Sequence, residues 1–491
     1  MKFNHNGLYT IAQIRDYENQ AIQQHAIPEY NLMQRAAAGA VAVIKQRYPD
    51  AKNFLTICGG GNNGGDGYTV ARLLKRNGNK VAAVAVSDPA KIKGAAEKAL
   101  KDFQAAKLSL HQQITPELLA NADLIIDAIL GIGMQGQVRE PLQQIINLIN
   151  QSQTPVIAID VPSGINAETG ALCGTAVKAD ATVTMIRLKQ GLFTGDAPDY
   201  CGEMILADLD FHQEWIKPSG RLIQSKTYQQ YLKPRQRTAN KGHYGHVLII
   251  GGDYGMPGSV CLAASAAYRV GCGLVTVATR PENALLPPQA HAEIMAVGIR
   301  SHNDLDEIMQ RVNVIAIGPG LGRSDWAQQL LKHVLNKSDK PLILDADALN
   351  LLAENPMQKD HWILTPHPGE AGRLLGSNSK IVQQDRFSVA QSLLKKYHGT
   401  IVLKGAGTIV QSDTEHYHLC PLGNPGMAVG GMGDALTGII AGLAAQRMPN
   451  NIAAELGVYL HAKAGDRAAR KHGERGLLAS DLIAELQGLV N

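Results

Sequence analysis

Short, unbroken apolar runs separated by stretches of helical periodicity set the rhythm of this chain. In the first two hundred residues the runs are NFLTIC (53–58), KVAAVAV (80–86), LIIDAIL (124–130), PVIAIDV (155–161) and ATVTMI (181–186). Between them, 68–77, 91–105 and 141–150 repeat apolar positions with the helical period. Strands that are apolar throughout, rather than alternating, belong to a parallel sheet covered on both faces. The rhythm restarts near residue 246 with HVLIIGG, LVTVATR (274–280), VNVIAIG (312–318), PLILDAD (341–347), HWILTP (361–366) and TIVLKG (400–405). Two α/β units are therefore expected, and no sequence repeat relates them. The length, 491 residues, agrees, because a single core usually stops growing well below it. The boundary is expected within 215–225, giving units 1–218 and 219–491.

Composition changes this picture little. Apolar residues make up 45% and charged residues 18%, ordinary for a globular protein. A formal net charge of +4 spread over this length lacks the concentrated basic face of a nucleic-acid binder. No segment approaches the ~18 consecutive apolar residues of a membrane span, and MKFNHNGLYTIAQIRDYENQAI lacks the apolar core of a signal peptide. The six cysteines are scattered, without a C-x-x-C pair, as reduced thiols in the cytoplasm would be. A cytoplasmic enzyme without nucleic-acid or membrane partners is expected. Charge is uneven in one place. From Trp215 to Gly252 there is no acidic residue, while Lys217, Arg221, Lys226, Lys233, Arg235, Arg237 and Lys241 are basic. This reads as a solvated connector, or as one whose C-terminal part, around Lys241, faces an anionic ligand.

Candidate chemistry gathers at the ends of the predicted strands, where open α/β sheets bind ligands. After NFLTIC comes GGGNNGGDG, in which Gly59, Gly61 and Gly64 satisfy G-x-G-x-x-G, and Asp88 ends the next strand where a ribose-binding acid would stand. Yet Asn62, Asn63 and Asp66 lie inside the expected turn. An aspartate there would repel a pyrophosphate, whereas amide and carboxylate oxygens suit a cation or hydroxyl groups. Asp127 ends LIIDAILG before the glycine-rich turn GIGMQGQV (131–138), and Asp160 ends VIAIDVPSG, with Ser163 and Gly164 opening a tight turn.

GGGNNGGDGYTVARLL, DAILGIG, IDVPSGINAETG and LKQGLFTG closely resemble the NAD(P)H-hydrate epimerase domain family, over about residues 8–215. The resemblance implies a Rossmann-like three-layer α/β/α sandwich that binds damaged nicotinamide nucleotides beside a potassium ion. It implies nucleotide contacts from Asn62, Asn63, Gly64, Gly65 and Asp66, from Gly131, Ile132, Gly133, Met134, Gln135, Gly136 and Gln137, and from Asp160. It implies potassium ligands at Asn63, Asp127 and Ser163. Asp160, assisted by Lys189, is the candidate for departure and return of a hydroxyl. Leu188 stands before Lys189 where the family often has proline, a local departure.

In the second unit the most telling segment is GNPGMAVGGMGDALTGIIAGLAAQ (423–446). Glycines 430, 431 and 433 are expected to precede an apolar helix whose free N–H groups and dipole would bind an anion. Asp434, in its first turn, could accept the proton of a hydroxyl that attacks a phosphoryl group. TIVLKGAGTIV (400–410) reads as strand, glycine turn, strand, with Lys404 and Thr408 at the turn. LDADALN (344–350) and LTPHPGEAGRLL (364–375) place polar residues at strand ends, with His367 restrained between two prolines.

These segments, with GHVLIIGGDYGMPGSV and GPGLG (318–322), closely resemble the ribokinase-like ADP/ATP-dependent NAD(P)H-hydrate dehydratase domain family, over about residues 225–490. The resemblance implies nucleotide contacts from Lys404, Gly405, Ala406, Gly407, Thr408 and Gly433. It implies hydrate contacts from Ser259, Gly320, Leu321, Gly322, His367 and Asp434. The order of the two domains matches bifunctional bacterial repair enzymes, and implies NADHX and NADPHX as substrates with K+, Mg2+ and ADP. It also implies ATP as the alternative donor, and a homo-oligomer, tetramer or higher. In that chemistry the C6 hydroxyl of the hydrate is phosphorylated and phosphate leaves, restoring NAD(P)H with release of AMP and phosphate. The first domain interconverts the R and S epimers. A vitamin or sugar kinase fused to a binding module, and an NAD-dependent dehydrogenase, are the alternative readings.

Overall fold

Parallel pairing of the apolar runs organises both halves of the chain. The computed structural model describes residues 5–211 and 213–491, and they divide into two units between Arg221 and Leu222.

The strands of the first unit are β1 (Gly7–Tyr9), β2 (Asn53–Cys58), β3 (Lys80–Ala85), β4 (Ser109–His111), β5 (Leu124–Ala128), β6 (Val156–Ile159), β7 (Ala181–Met185), β8 (Leu188–Lys189) and β9 (Glu203–Ala207). Seven form a sheet of order β4-β3-β2-β5-β6-β7-β9 with every neighbouring pair parallel. The chain runs outward from β2 through β3 to β4, then returns to β5 on the other side of β2. That reversal opens a crevice beyond the C-terminal ends of β2 and β5. Separately, β8 pairs with β1, and β1 pairs antiparallel with Gly220 and Arg221 of β10 (Gly220–Leu222).

Helices cover the sheet: α1 (Ile11–Gln23), α2 (Glu29–Arg47), α3 (Asn62–Arg76), α4 (Gly94–Ala105), α5 (Pro116–Ala120), α6 (Glu140–Gln151) and α7 (Pro198–Cys201). Thr10 starts α1 with a capping box to Gln13. Helix α3 begins at Asn62, earlier than the periodicity predicts, so Asn62–Asp66 belong to a helix rather than to a turn. Its glycines serve contact rather than flexibility. A Cβ on Gly64 would stand 2.0 Å from the Gly59 carbonyl oxygen, one on Gly65 2.6 Å from Met33 Cε, and one on Gly67 2.5 Å from Ala128 Cβ. They let the helix press onto β2, β5 and α2.

The second unit continues with α8 (Ser225–Tyr228), β11 (His246–Ile250), α9 (Pro257–Arg269), β12 (Leu274–Thr279), α10 (Leu286–Ala290), β13 (Met295–Gly298), α11 (Asp306–Arg311), β14 (Val314–Ile317), α12 (Asp325–Lys337), β15 (Leu342–Leu344), α13 (Ala346–Glu354), β16 (Trp362–Leu364), α14 (Pro368–Leu375), α15 (Ser379–Gln384) and α16 (Arg386–Tyr397). It closes with β17 (Thr400–Leu403), β18 (Thr408–Gln411), β19 (Tyr417–Cys420), α17 (Met432–Ala445), α18 (Asn450–His472) and α19 (Ala479–Leu486). Strands β13-β12-β11-β14-β15-β16-β17 are parallel, and β18 and β19 extend the sheet as an antiparallel meander. The order reverses between β11 and β14, again marking a crevice at their C-terminal ends.

Helix α17 is apolar all round and lies inside the core, against α9 and α18. A Cβ on Gly438 would meet the Ala263 carbonyl oxygen at 1.9 Å, and one on Gly442 the Ala267 carbonyl oxygen at 2.7 Å. The backbones of α17 and α9 therefore touch. Alanine is the better helix former by about 1 kcal/mol, yet overpacking costs about 1–3 kcal/mol. Gly438→Ala should lower the urea midpoint of the second unit despite its propensity gain. A raised midpoint would show that the two helices can move apart.

Candidate active sites

In the first unit, the segments after β2, β3, β5 and β6 converge with α1 on a cavity of about 460 Å³. Gly59–Asn63, Asp66, Val86, Ser87, Ile129–Met134 and Asp160 line it, together with Arg15 and Glu18 from α1. Asp160 has a left-handed backbone, φ +67°, which turns its carboxylate back toward Lys189. That lysine is 1% exposed and ion-pairs with Asp160. Its ammonium also donates to the Thr184 hydroxyl at 3.1 Å and the Met185 carbonyl at 2.7 Å. Asp66 lines the same cavity from α3. Burial first, then the charges of Asp160 and Glu18, push its carboxyl far above the ordinary range.

Behind this cavity lies a second polar knot. Asp127 is fully buried and accepts from the Ser163 backbone N–H at 2.8 Å and the Ser163 hydroxyl at 2.6 Å. The Asn63 amide donates to the Leu130 carbonyl at 2.8 Å, which leaves its own Oδ1 buried without a partner. Burial raises Asp127 to about 6, against the hydrogen bonds from Ser163 and Ile129.

The second unit builds its site around a lysine. Lys404, just beyond β17, bonds Asp345 at 2.7 Å and lies 3.7 Å from Glu370. Asp345 follows β15, and its other oxygen accepts from the Thr437 hydroxyl of α17 at 2.8 Å. Burial alone would lower Lys404, but the two carboxylates outweigh it and hold it above its usual value. Asp345, with the shorter contact, keeps its charge. Glu370 is lifted to about 7 by burial, with Lys404 opposing and Asp345 adding to the rise.

Asp434 sits in the first turn of α17, whose N-terminus no side chain caps, after Gly431 at φ +89°. Its carboxyl is raised to about 6, chiefly by burial and then by Asp345, while a hydrogen bond from Ser259 opposes this. Gly433 is inside the helix rather than before it, and its bare Cα faces Lys404. A Cβ there would lie 3.3 Å from Nζ. Arg386, fully buried, donates to the carbonyls of Leu403 at 3.1 Å and Lys404 at 3.2 Å, fixing the 403–408 turn from behind. His367 caps α14, its Nδ1 accepting from the Gly369 N–H at 2.9 Å. Burial and then the cationic Lys404 and Arg373 lower it, so the ring is neutral.

Most of the expected residues come together in these two places, but not all. Gly64 and Gly65 are buried packing positions of α3. Gln135, Gly136 and Gln137 lie on the exposed far side of their turn, outside the cavity wall. Leu321 turns its side chain wholly into the core, and Gly320 and Gly322 flank it with left-handed backbones. Asp88 caps the short helix Pro89–Lys91 through the Ala90 N–H. Lys241 stands beside Gly273, at the N-terminal ends of β11 and β12, away from the site. A larger cavity, of about 1000 Å³, also lies at that end and includes none of the expected site residues.

Sequence reasoning missed Arg15, Glu18, Asp345, Glu370, Arg386 and His461. LDADALN and PHPGE held two of them in view, as acids at strand ends. His461 carried no signal. It is half-buried on α18 and bonds the Met432 carbonyl at 3.0 Å, steadying the first turn of α17.

Comparison with known proteins places both units in known families. Residues 247–488 match the family described as NAD(P)H-hydrate dehydratase, and residues 29–191 match the family described as YjeF-related protein N-terminus. The bifunctional NAD(P)H-hydrate repair enzyme Nnr of Coxiella burnetii is 49% identical over 487 residues, covering 99% of each chain. The chain belongs to the bifunctional NAD(P)H-hydrate repair enzymes. The Escherichia coli repair enzyme is 41% identical, over 97% of this chain and 93% of its own. Among solved structures, the ADP/ATP-dependent NAD(P)H-hydrate dehydratase of Bacillus subtilis, co-crystallised with ATP and Mg2+, is 32% identical. It covers 55% of this chain and 96% of its own, with a TM-score of 0.50. A ribokinase-like superfamily protein of Enterococcus faecalis is 31% identical, with coverage of 57% and 98% and a TM-score of 0.52. The second unit of this repair enzyme thus has the ribokinase-like fold.

Removing one partner of a buried ion pair costs about 3–5 kcal/mol. Lys404→Met should therefore lower the denaturation midpoint of the repair enzyme strongly, and Asp345→Asn in the same chain should restore part of it. Strictly additive losses in this double-mutant cycle would show that the pair does not act as a unit.

Proposed function

We propose that the first unit interconverts the R and S epimers of hydrated NADH and NADPH, and that the second dehydrates the S epimer at the expense of ADP. Hydroxide is a poor leaving group and phosphate a good one. The second unit therefore phosphorylates the C6 hydroxyl, and elimination of phosphate restores NAD(P)H, leaving AMP. The observation that carries this reading is the meeting of Asp434 with an uncapped, glycine-opened helix N-terminus beside Lys404. The helix N–H groups and the ammonium receive the migrating phosphoryl, and Asp434 takes the proton of the attacking hydroxyl. Gly405–Thr408, braced by Arg386, and Gly433 hold the donor nucleotide. Ser259, the Gly320–Gly322 turn and His367 face the hydrate.

The bare Cα of Gly433 leaves room for phosphate oxygens, which suits a donor nucleotide carrying Mg2+. That ion would ride on the phosphates and neutralise their charge. In the first unit the buried Asn63 Oδ1 without a partner and the buried Asp127, whose neighbours supply hydrogen bonds but no cation, fit a potassium ion held by Asn63, Asp127 and Ser163. Potassium would fix the Gly131–Met134 turn that receives the nucleotide. Asp160 and Lys189 handle the hydroxyl. A homo-oligomer, tetramer or higher, belongs to the same reading, and sedimentation checks it.

Because Asp434 must be ionised to act and is raised to about 6, ADP-dependent recovery of NADPH absorbance from S-NADPHX should fall as pH drops through that region. Asp434→Asn should lower recovery by about 10²-fold or more. Undiminished recovery would remove the residue from its role as base. A stable phosphorylated product, in place of phosphate and NADPH, would favour a small-molecule kinase. If ATP outpaces ADP in the same assay, the donor assignment fails. Potassium should raise the melting temperature of the full chain above its value in an equal concentration of tetramethylammonium, and Asp127→Asn should remove that difference.

A further inference from the structure

Three carboxyl groups line the cavity of the first unit: Glu18 on α1, Asp66 on α3 and Asp160 after β6. They are not equivalent. Asp160 is ion-paired with Lys189 and accepts from the Met185 N–H at 3.0 Å. Among the described residues, no hydrogen bond or ion pair reaches the carboxyl of Glu18 or Asp66. Asp66 also lies beyond the first turn of α3, so the free N–H groups of that helix end do not serve it. Glu18 and Arg15 fall outside the 29–191 family match.

The hydroxyl of the hydrate sits on C6, the carbon bonded to the ring nitrogen. Inverting that carbon through departure and return requires a proton donor on one face and an acceptor on the other. We propose that Asp66 is a second catalytic residue of the epimerase pocket, donating the proton with which the C6 hydroxyl departs, with Glu18 as its positioning neighbour. The proposal rests on the epimerase reading above. As Asp66 gives its proton, the C6–O bond breaks, water leaves, and the N1 lone pair forms an N1=C6 double bond. Water then adds to the opposite face, its oxygen bonding C6 as that double bond's electrons return to N1, and its proton passes to the Asp160 carboxylate. The reverse epimerisation runs with the two carboxyls exchanged, and proton exchange with solvent resets the pair.

The electrostatics agree. Burial, then the charges of Asp160 and Glu18, favour the acid form of Asp66, with Lys189 opposing. Glu18 is itself raised by burial and Asp160, with Lys189 and Arg15 opposing and Glu29 of α2 adding to the rise. Two unpartnered carboxyls beside a paired one are the arrangement in which a proton stays available in a neutral solution.

The test uses the full chain with K+, pure S-NADPHX and no ADP, following appearance of the R epimer by chromatography across a pH series, with NADPHX affinity measured in parallel. Asp66→Asn should slow exchange by about 10²-fold or more while affinity stays within about threefold, a change in kcat rather than binding. Glu18→Gln, on the half-buried face of α1, should slow exchange far less than Asp66→Asn does. Removing that negative neighbour should move the alkaline limb of the pH profile to lower pH. Three outcomes overturn the proposal alone: Asp66→Asn exchange near the parent rate, a loss matched by lost affinity, or an unmoved alkaline limb in Glu18→Gln. No exchange above the uncatalysed rate by the unaltered chain overturns the epimerase reading and the proposal together.

Discussion

The ammonium of Lys404 is shared between Asp345 and Glu370, and through it three neighbouring parallel strands meet at their C-terminal ends. Asp345 follows β15, Glu370 belongs to the helix after β16, and Lys404 follows β17. Thr437 adds α17 to the same carboxylate. Such a buried cluster contributes little net stability, because desolvation offsets the attraction. Its effect is positional. It fixes where Lys404 stands relative to the uncapped N-terminus of α17, and it contributes to the charge that Asp434 experiences.

The first unit meets the same constraint with a different solution. Its two strand-end acids sit in different company: Asp160 has Lys189, whereas Asp127, among the described residues, has hydroxyl and backbone donors but no side-chain cation. A carboxylate buried without countercharge is costly. That missing positive charge is what supports the proposed potassium ion.

Much of the fold was legible in the sequence, because buried parallel strands write themselves as continuous apolar runs. NFLTIC is β2 to the residue. Nearly every other predicted strand runs one to three residues too far at its C-terminal end, and those surplus residues include Ile129, Leu130, Asp160, Asp345 and Lys404. Where apolar character outlasts the sheet, the chain is leaving it to build a site. Strands β1, β4, β8, β9 and β13 went unseen because two to five residues carry no period. Glycines misled in the opposite sense. In GGGNNGGDG they suggested a loop, yet Gly64, Gly65 and Gly67 are helical and allow close packing. Arg386 and His461 act on the site from behind, through backbone carbonyls, and no local pattern announces such a role.

The backbone contact between α17 and α9 at Gly438 and Gly442 bears on how the second site works. Helix α9 carries Ser259 and α17 carries Asp434, so the hydroxyl and the carboxylate it influences are mounted on two helices whose backbones touch. Neither can swing without unpacking the core. The helix end proposed to receive the phosphoryl group is thus assembled before any nucleotide arrives, and binding energy need not be spent on ordering it. What selectivity the site has then comes from shape already set, rather than from a closure that the right ligand must induce.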